Sequence, residues 1–258
     1  MKTVVLCGGL GTRLSEETGT RPKPMVTVGG RPILWHILNM YAHAGFKDFT
    51  LALGYKAEIV KEYFLNYRAL NSDFSIDLAS GEIAYHRQEK CDWKVQLIDT
   101  GDKTLTGGRL LRLKSVLAPT GTFFLTYGDG VSSLDIKKLL EFHRSHGKIA
   151  TVTAVRPAAR FGTMLFEQGR VTRFKEKVQS GEGWINGGFF VFEPQVFEYL
   201  QDGDQTVLEG LPLEKLAHDG ELMAYAHEGY WQCMDTVRDR QLLEDHWNTG
   251  DAPWKSWS

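Results

Sequence analysis

Near the start of the chain, three glycines and two cations stand at spacings that could do chemistry: Gly8-Gly9-Leu10-Gly11-Thr12-Arg13-Leu14, then Arg21-Pro22-Lys23-Pro24-Met25. Glycine has no Cβ to hold a ligand off the backbone, so such a loop can lay bare N–H groups against an anion. Arg13 adds a planar fork of donors and Lys23 a mobile point charge. Together with the amides of Gly8, Gly9 and Gly11 they suit a polyphosphate. A loop that only turned a corner would need neither cation.

Further along are carboxylates of the kind that hold a divalent cation beside phosphates. Asp129, between Gly128 and Gly130, ends the apolar run Phe123-Phe124-Leu125-Thr126-Tyr127, and Asp235 closes Trp231-Gln232-Cys233-Met234. An acidic residue at the carboxyl end of a buried strand is a usual place for such a cation. Asp beside Gly is also a common turn, and local sequence leaves both readings open. The stretch Thr100 to Arg109 is equally two-sided, since hydroxyls and glycines before a helix cap it as readily as they touch a ligand. Lys175-Glu176-Lys177 taken alone reads as a solvated face.

Two other glycine loops fail on spacing. The chain has no Gly-x-x-x-x-Gly-Lys followed by Ser or Thr. Gly9-Leu10-Gly11 supplies two glycines of a dinucleotide fingerprint, but Leu14 stands where the third belongs, and Glu16 and Glu17 come too soon for its acidic partner. An NAD-binding oxidoreductase is therefore not expected.

The elements that must position these residues alternate. Thr3–Cys7 reads as a buried strand, followed by a helix over 32–41 with Gly45 as its stop, a strand over 49–53 and an aromatic-rich helix over 57–67. Residues 72–98 read as a β-rich excursion, and 109–117 as a helix opened by the second glycine loop. After the strand at 123–127 come a helix over 134–146, a strand over 149–155, a hairpin over 163–174 turning at Gly169-Arg170, a short helix from Pro194, a helix over 207–218, a strand over 222–226 and a closing helix over 237–247. The βαβα rhythm with unalternating apolar strands predicts an α/β fold: a mixed, mostly parallel central sheet flanked by helices, with ligands outside the strands' carboxyl ends.

Composition narrows the function. With 42% hydrophobic and 24% charged residues, 258 residues can build one large core and show no mark of disorder. A net charge of −2 supplies no basic field for nucleic acid or a membrane surface, so neither partner is expected. No apolar run nears the roughly 18 residues of a membrane span. Nothing after Met1-Lys2 resembles an export signal, and Cys7, Cys91 and Cys233 lack any pairing or zinc spacing, so a reduced cytoplasm is expected. His36, His43, His86, His143, His146, His218, His227 and His246 show no ligand spacing and read as structural or exposed. Trp254 and Trp257 lie in a tail too apolar to leave in water, which is expected to dock on its own chain or a neighbour.

The glycine and lysine segments together resemble the signature of the sugar-1-phosphate nucleotidyltransferases, and the Ser15-Glu16-Glu17-Thr18 and Lys23-Pro24-Met25-Val26 variant is most similar to the cytidylyltransferases among them. Matching motifs near residues 8, 23, 104, 129, 176, 186 and 235 follow the family's order through essentially the whole chain. The resemblance implies a single domain, 1–258, of Rossmann-like nucleotidyltransferase fold, with 1–130 mainly nucleotide-binding and 131–258 mainly sugar-phosphate-binding. It implies CTP and glucose 1-phosphate as substrates, CDP-glucose for deoxysugar or surface polysaccharide synthesis as product, Mg²⁺ as cofactor, and a homo-oligomer, hexamer or tetramer.

By residue, the resemblance implies nucleotide contacts from Leu6, Gly8, Gly9, Leu10, Gly11, Thr12, Arg13, Lys23, Thr104, Arg109 and Gly128. It implies catalytic roles for Arg13, Lys23, Asp129 and Asp235, with Mg²⁺ held by Asp129 and Asp235. Sugar-phosphate contacts fall to Glu176, Lys177, Asn186 and Gly187, the last two offering an amide and a bare backbone. A thymidylyl- or uridylyltransferase on the same scaffold competes with this reading, as does a nucleotide-sugar binding module without turnover. Retention of both carboxylates with Lys23 and Lys177 argues against the module. Cys7 stands where the family more often has alanine; a small apolar role is expected of it, with a thiol open to alkylation beside the nucleotide.

Overall fold

The computed structural model describes residues 1–9, 11–88, 91–156, 163–167, 170–175 and 183–257. Among the described residues eight strands form the central sheet: β1 (Lys2–Cys7), β2 (Asp48–Leu53), β3 (Lys94–Asp99), β4 (Phe123–Tyr127), β5 (Ala150–Val155), β6 (Ile185–Asn186), β7 (Phe190–Phe192) and β8 (Leu222–His227). β1 pairs in parallel with β2 on one side and β4 on the other, and β2 pairs in parallel with β3. β7 runs antiparallel to both β4 and β5, β6 continues along β5, and β8 closes the far edge parallel to β5. The sheet is thus mixed and mostly parallel, as the βαβα rhythm predicts.

β1 shows why an unalternating apolar run belongs in the middle of such a sheet. Val5 and Cys7 enter a core with Ile33, Leu34 and Ile37 of helix α1 (Ile33–His43) on one face, while Val4 and Leu6 enter a second core with Leu110 and Leu117 on the other. Both faces are covered, so neither can be polar. The remaining longer helices are α2 (Ala57–Leu65), α3 (Thr106–Arg112), α4 (Ile136–His146), α5 (Leu211–His218) and α6 (Val237–Asn248). Asp135 caps α4 through the amides of Lys137 and Lys138, and Gly147 ends it at φ 65°.

Two expectations need correction. Lys94–Asp99 is not part of a β-rich excursion; it is β3, the edge of the central sheet, and the excursion reduces to the hairpin Ser72–Ile76 with Ile83–Gln88. α3 begins at Thr106, so Gly107 and Gly108 are helical and do not belong to the loop. A Cβ on Gly108 would stand 2.6 Å from the carbonyl oxygen of Asp204, and one on Gly107 would stand 3.0 Å from that of Thr206. These glycines let the 203–206 turn press onto the helix, which propensity alone does not reveal. The hairpin over 163–174 is present as Thr163–Glu167 paired with Arg170–Lys175, and its Gly169 lies outside the described residues.

The tail docks on its own chain. Trp254 is buried and its indole N–H donates to His36 Nδ1 at 3.3 Å, while Trp257 packs edge-on to Trp35 at 5.8 Å. Because Nδ1 accepts from tryptophan, the His36 proton sits on Nε2 and is donated to the carbonyl of Val28 at 2.9 Å. Burial pushes the His36 pKa down to about 4. The unfolded chain takes up this proton near 6.5 and the folded one resists it, so stability falls as pH drops from about 6.5 to about 4 and levels off below. At about 1.4 kcal/mol per unit this costs roughly 3 kcal/mol over the window. Urea unfolding of wild type and His36→Gln at neutral pH and near pH 4 should show that loss in wild type and a shallower one in the variant; equal slopes would remove His36 as the cause.

Candidate active site

The chain brings Asp129 and Asp235 together with a two-stranded ribbon. Gly130–Ser132, leaving the end of β4, pairs antiparallel with Trp231–Cys233 in the register Gly130 to Cys233, and Met234 N–H donates to the carbonyl of Asp129 at 2.8 Å. The residues that follow and precede the ribbon are therefore neighbours. Asp235 and Thr236 donate backbone N–H groups to the carboxylate of Asp239, at 3.2 and 2.9 Å, and the Thr236 hydroxyl accepts from Asp239 N–H at 3.2 Å. This capping box fixes the start of α6 and with it the backbone of Asp235.

Lys23 meets both carboxylates. It sits in a single 3-10 turn, Lys23–Met25, entered through Pro22, and its Nζ lies 2.6 Å from Asp129 Oδ2 and 2.5 Å from Asp235 Oδ1. Burial works against its charge, but the field and hydrogen bonds of Asp129 and Asp235 outweigh burial and hold the lysine pKa above its ordinary value. The pair also suits a divalent cation: two hard oxygen donors converge on one point, and among the described residues no group of three or more metal-ligating side chains adds a third. Magnesium fits such a set, because it is commonly held by one or two carboxylates with water and substrate phosphates completing its shell.

Beside the triad opens a cavity of about 670 Å³. Its floor is the carboxyl ends of β1 (Leu6, Cys7) and β4 (Tyr127, Gly128, Asp129), and its walls are Gly8, Gly9, Gly11, Thr12, Lys23 and the 102–106 segment with Thr104. β2 and β3 extend the sheet to one side of β1, and β4 and its neighbours to the other. The cavity therefore lies at the switch point where α/β sheets bind ligands. A Cβ on Gly9 would meet nothing within 4 Å, so Gly9 borders open space at the cavity wall, and Gly11 turns the loop at φ 62°. Leu10, the Arg13 side chain, Glu176 and Lys177 lie outside the described residues.

Arg109 does something other than expected. Its guanidinium donates to the carbonyls of Leu53 and Gly8 at 2.9 and 2.8 Å and to the Thr100 hydroxyl at 2.8 Å, and Arg109 is only 4% exposed. A Cβ on Gly8 would fall 2.0 Å from its Cζ, and one on Gly54 2.4 Å from Nη1. The two glycines make room for a cation that clamps the ends of β1 and β2; it touches the cavity wall, but its donors go to protein. Gly187 likewise offers no free backbone: it is buried, its N–H goes to Thr153 O at 2.9 Å and its carbonyl accepts from the Trp231 indole at 2.8 Å. Cys7 is 1% exposed and burial drives its thiol pKa far up, so the alkylation expected of it finds no reactive group.

Asn186 meets the cavity through Tyr127, which lines it. It is exposed, its carbonyl oxygen takes the Gly188 N–H at 2.8 Å, and its amide approaches the Tyr127 hydroxyl at 3.4 Å. Tyr127 in turn donates to Glu209 Oε1 at 2.5 Å, whose other oxygen accepts from Thr106 at 2.6 Å. Tyr127, Thr106, Tyr55, Asp102 and Lys103 all line the cavity without having been singled out in the sequence. Tyr55 and Tyr127 were findable, since both sit at the carboxyl ends of strands. Glu209 carries no local signal; only the fold brings it there.

The family model described as nucleotidyl transferase matches residues 2–244. The chain is 50% identical over 257 residues to a glucose-1-phosphate cytidylyltransferase of Salmonella typhi and to one of Salmonella typhimurium, covering 100% of both chains in each case. Among solved structures it is similar to HddC from Yersinia pseudotuberculosis, with 25% identity, a TM-score of 0.68 and coverage of 95% of this chain and 99% of that one.

The clamp role of Arg109 is testable. Arg109→Met takes a charged donor from the carbonyls of Leu53 and Gly8, which keep Thr100 N–H at 2.8 Å and Tyr55 N–H at 3.4 Å, and should lower unfolding free energy by about 1–2 kcal/mol in chemical denaturation. An unchanged midpoint with weakened nucleotide binding would return Arg109 to the ligand.

Proposed function

The chain belongs to the nucleotidyl transferase family, and from that premise we propose that it joins CTP to α-D-glucose 1-phosphate, releasing pyrophosphate and forming CDP-glucose. The observation that carries the reading is the meeting of Lys23, Asp129 and Asp235 at the rim of a glycine-walled cavity at the sheet's switch point. The curated relatives at 50% identity over their whole length are named for this activity, which supports the choice of base and sugar.

The chemistry asks little covalent work of the protein. A sugar 1-phosphate oxygen is already an anion and needs no general base; the difficulty is bringing it to another polyanion. Catalysis is then positioning and charge neutralisation for in-line attack on the α-phosphate of the nucleotide. The amides of the glycine loop receive phosphate oxygens, with Gly9 the most open of them, and Lys23 and Arg13 carry charge from the α-phosphate and the departing pyrophosphate. Thr104, Leu6, Thr12 and Gly128 shape the nucleotide end. Asn186, with Glu176 and Lys177, holds the sugar phosphate. Asp129 and Asp235 would hold a divalent cation, proposed as Mg²⁺, whose contribution is to neutralise charge on the phosphates.

On this reading residues 1–130 serve mainly the nucleotide and 131–258 mainly the sugar phosphate. No described helix is long and apolar enough to cross a membrane, and since Cys7, Cys91 and Cys233 are widely spaced with no Cys-x-x-Cys pair a cytoplasmic setting is proposed. A homo-oligomer is proposed as well, since the hairpin bearing Phe74, Ile76, Leu78 and Ile83 exposes all four side chains. Light scattering of the purified chain should therefore return a multiple of 29.1 kDa, and a monomer would remove the proposal.

Pyrophosphate release from CTP, UTP, ATP, GTP and dTTP with glucose 1-phosphate should favour CTP by about a hundredfold or more. Faster turnover of UTP or dTTP would overturn the base and leave the family. Asp235→Asn should keep its circular dichroism and lose on the order of 10²-fold or more in kcat; wild-type turnover would unseat the carboxylate pair.

A further inference from the structure

Two demands on the same three groups conflict. The proposed reaction, on which this inference rests, asks Asp129 and Asp235 to hold a divalent cation and Lys23 to reach a phosphate. In the structure the ammonium lies 2.6 and 2.5 Å from the two carboxylates, at the point on which they converge. A magnesium ion needs oxygens at about 2.0–2.1 Å, so it would have to take up nearly the same position. Ammonium and dication repel each other at such range, and the small space between two carboxylates does not favour both.

We infer that Lys23 is the resting occupant of the cation site, and that the chain takes up its divalent cation together with the nucleotide's phosphates, when Lys23 moves from the carboxylates to a phosphate. Three observations carry this. The protein offers a pair of carboxylates and, among the described residues, no wider cluster of metal-ligating side chains, so water and substrate oxygens have to complete the shell and the phosphates strengthen it. The Lys23 side chain is 12% exposed and each aspartate side chain 26%, so emptying the space between them would leave two half-buried like charges facing each other. Lys23 also lines the cavity, so its side chain has somewhere to go while its backbone stays in the turn after Pro22. A flexible four-carbon stem suits that move.

The consequence is that lysine competes with free metal and phosphate relieves the competition. Manganese alone is the probe, followed on the full chain by the electron paramagnetic resonance of unbound Mn²⁺. Wild type should bind Mn²⁺ weakly without nucleotide, and Lys23→Met should bind it at least about tenfold tighter, with Lys23→Gln as a second variant of the same sense. In chelator, both variants should melt below wild type, and Mn²⁺ should raise their melting temperature while leaving that of wild type nearly unmoved. A lysine that served only to brace the fold would lower melting without conferring this metal response. Wild-type affinity for Mn²⁺ equal to that of the variants would overturn the place-holding role and leave the carboxylate pair as a metal site. Absence of Mn²⁺ binding in all three proteins, with or without α,β-methylene CTP, would overturn both.

Discussion

Two carboxylates drawn from the middle of a chain and from near its end repel, and they stay side by side only if something positive lies between them and something rigid holds the backbone behind them. Here the positive group is Lys23 and the rigid part is the ribbon of Gly130–Ser132 with Trp231–Cys233. The ribbon has three residues in each strand and would not be stable alone. It is held because at one end its first strand grows out of β4, in the middle of the sheet, and its second runs into the capping box of α6. The site therefore depends on the order of strands in the sheet: without β4 beside β1, Asp129 would not stand over the glycine loop.

The same order explains the buried guanidinium. A carbonyl oxygen has two lone pairs, and at the ends of β1 and β2 those of Gly8 and Leu53 accept a second donor beyond the backbone N–H groups of Tyr55 and Thr100: Arg109 reaches across from α3 to both. Burying an arginine is costly unless its donors are satisfied, and the loss of Cβ at Gly8 and Gly54 is what lets the carbonyls come close enough. One of the loop's glycines is thus open to the cavity, and another is shaped by the protein's own cation.

This is why some of the site was legible in the sequence and some was not. Residue type and spacing state what a group can do, and for Lys23, Asp129, Asp235 and Gly9 the fold turns that capacity toward one place. For Arg109 and Gly187 the capacity is the same but the direction is inward, which is a property of the packing between α3 and the sheet and between β6 and β5. The sequence of β3 alternates like that of the hairpin before it; its neighbour β2 is what makes it a parallel strand of the central sheet. Asp239 was available from the spacing Thr236 to Asp239, a capping box written in the chain. Glu209 was not, since its partners lie 82 and 103 residues away.

Glu209 also shows how the two ends of the cavity are kept at a fixed separation. One of its oxygens holds Thr106, at the start of α3 where the nucleotide is proposed to lie; the other holds Tyr127, whose hydroxyl meets Asn186 on the proposed sugar side. The neighbouring backbone is under strain, with buried Phe189 at φ 49°, a left-handed conformation unusual for a bulky side chain. Such a conformation persists where the surroundings over-determine it, and here the Trp231 indole on Gly187 and the Thr153 hydroxyl on the Phe189 carbonyl supply the restraint. A reaction that rests on bringing two anions together gains from such a frame, because the distance between the two bound substrates is set before either arrives.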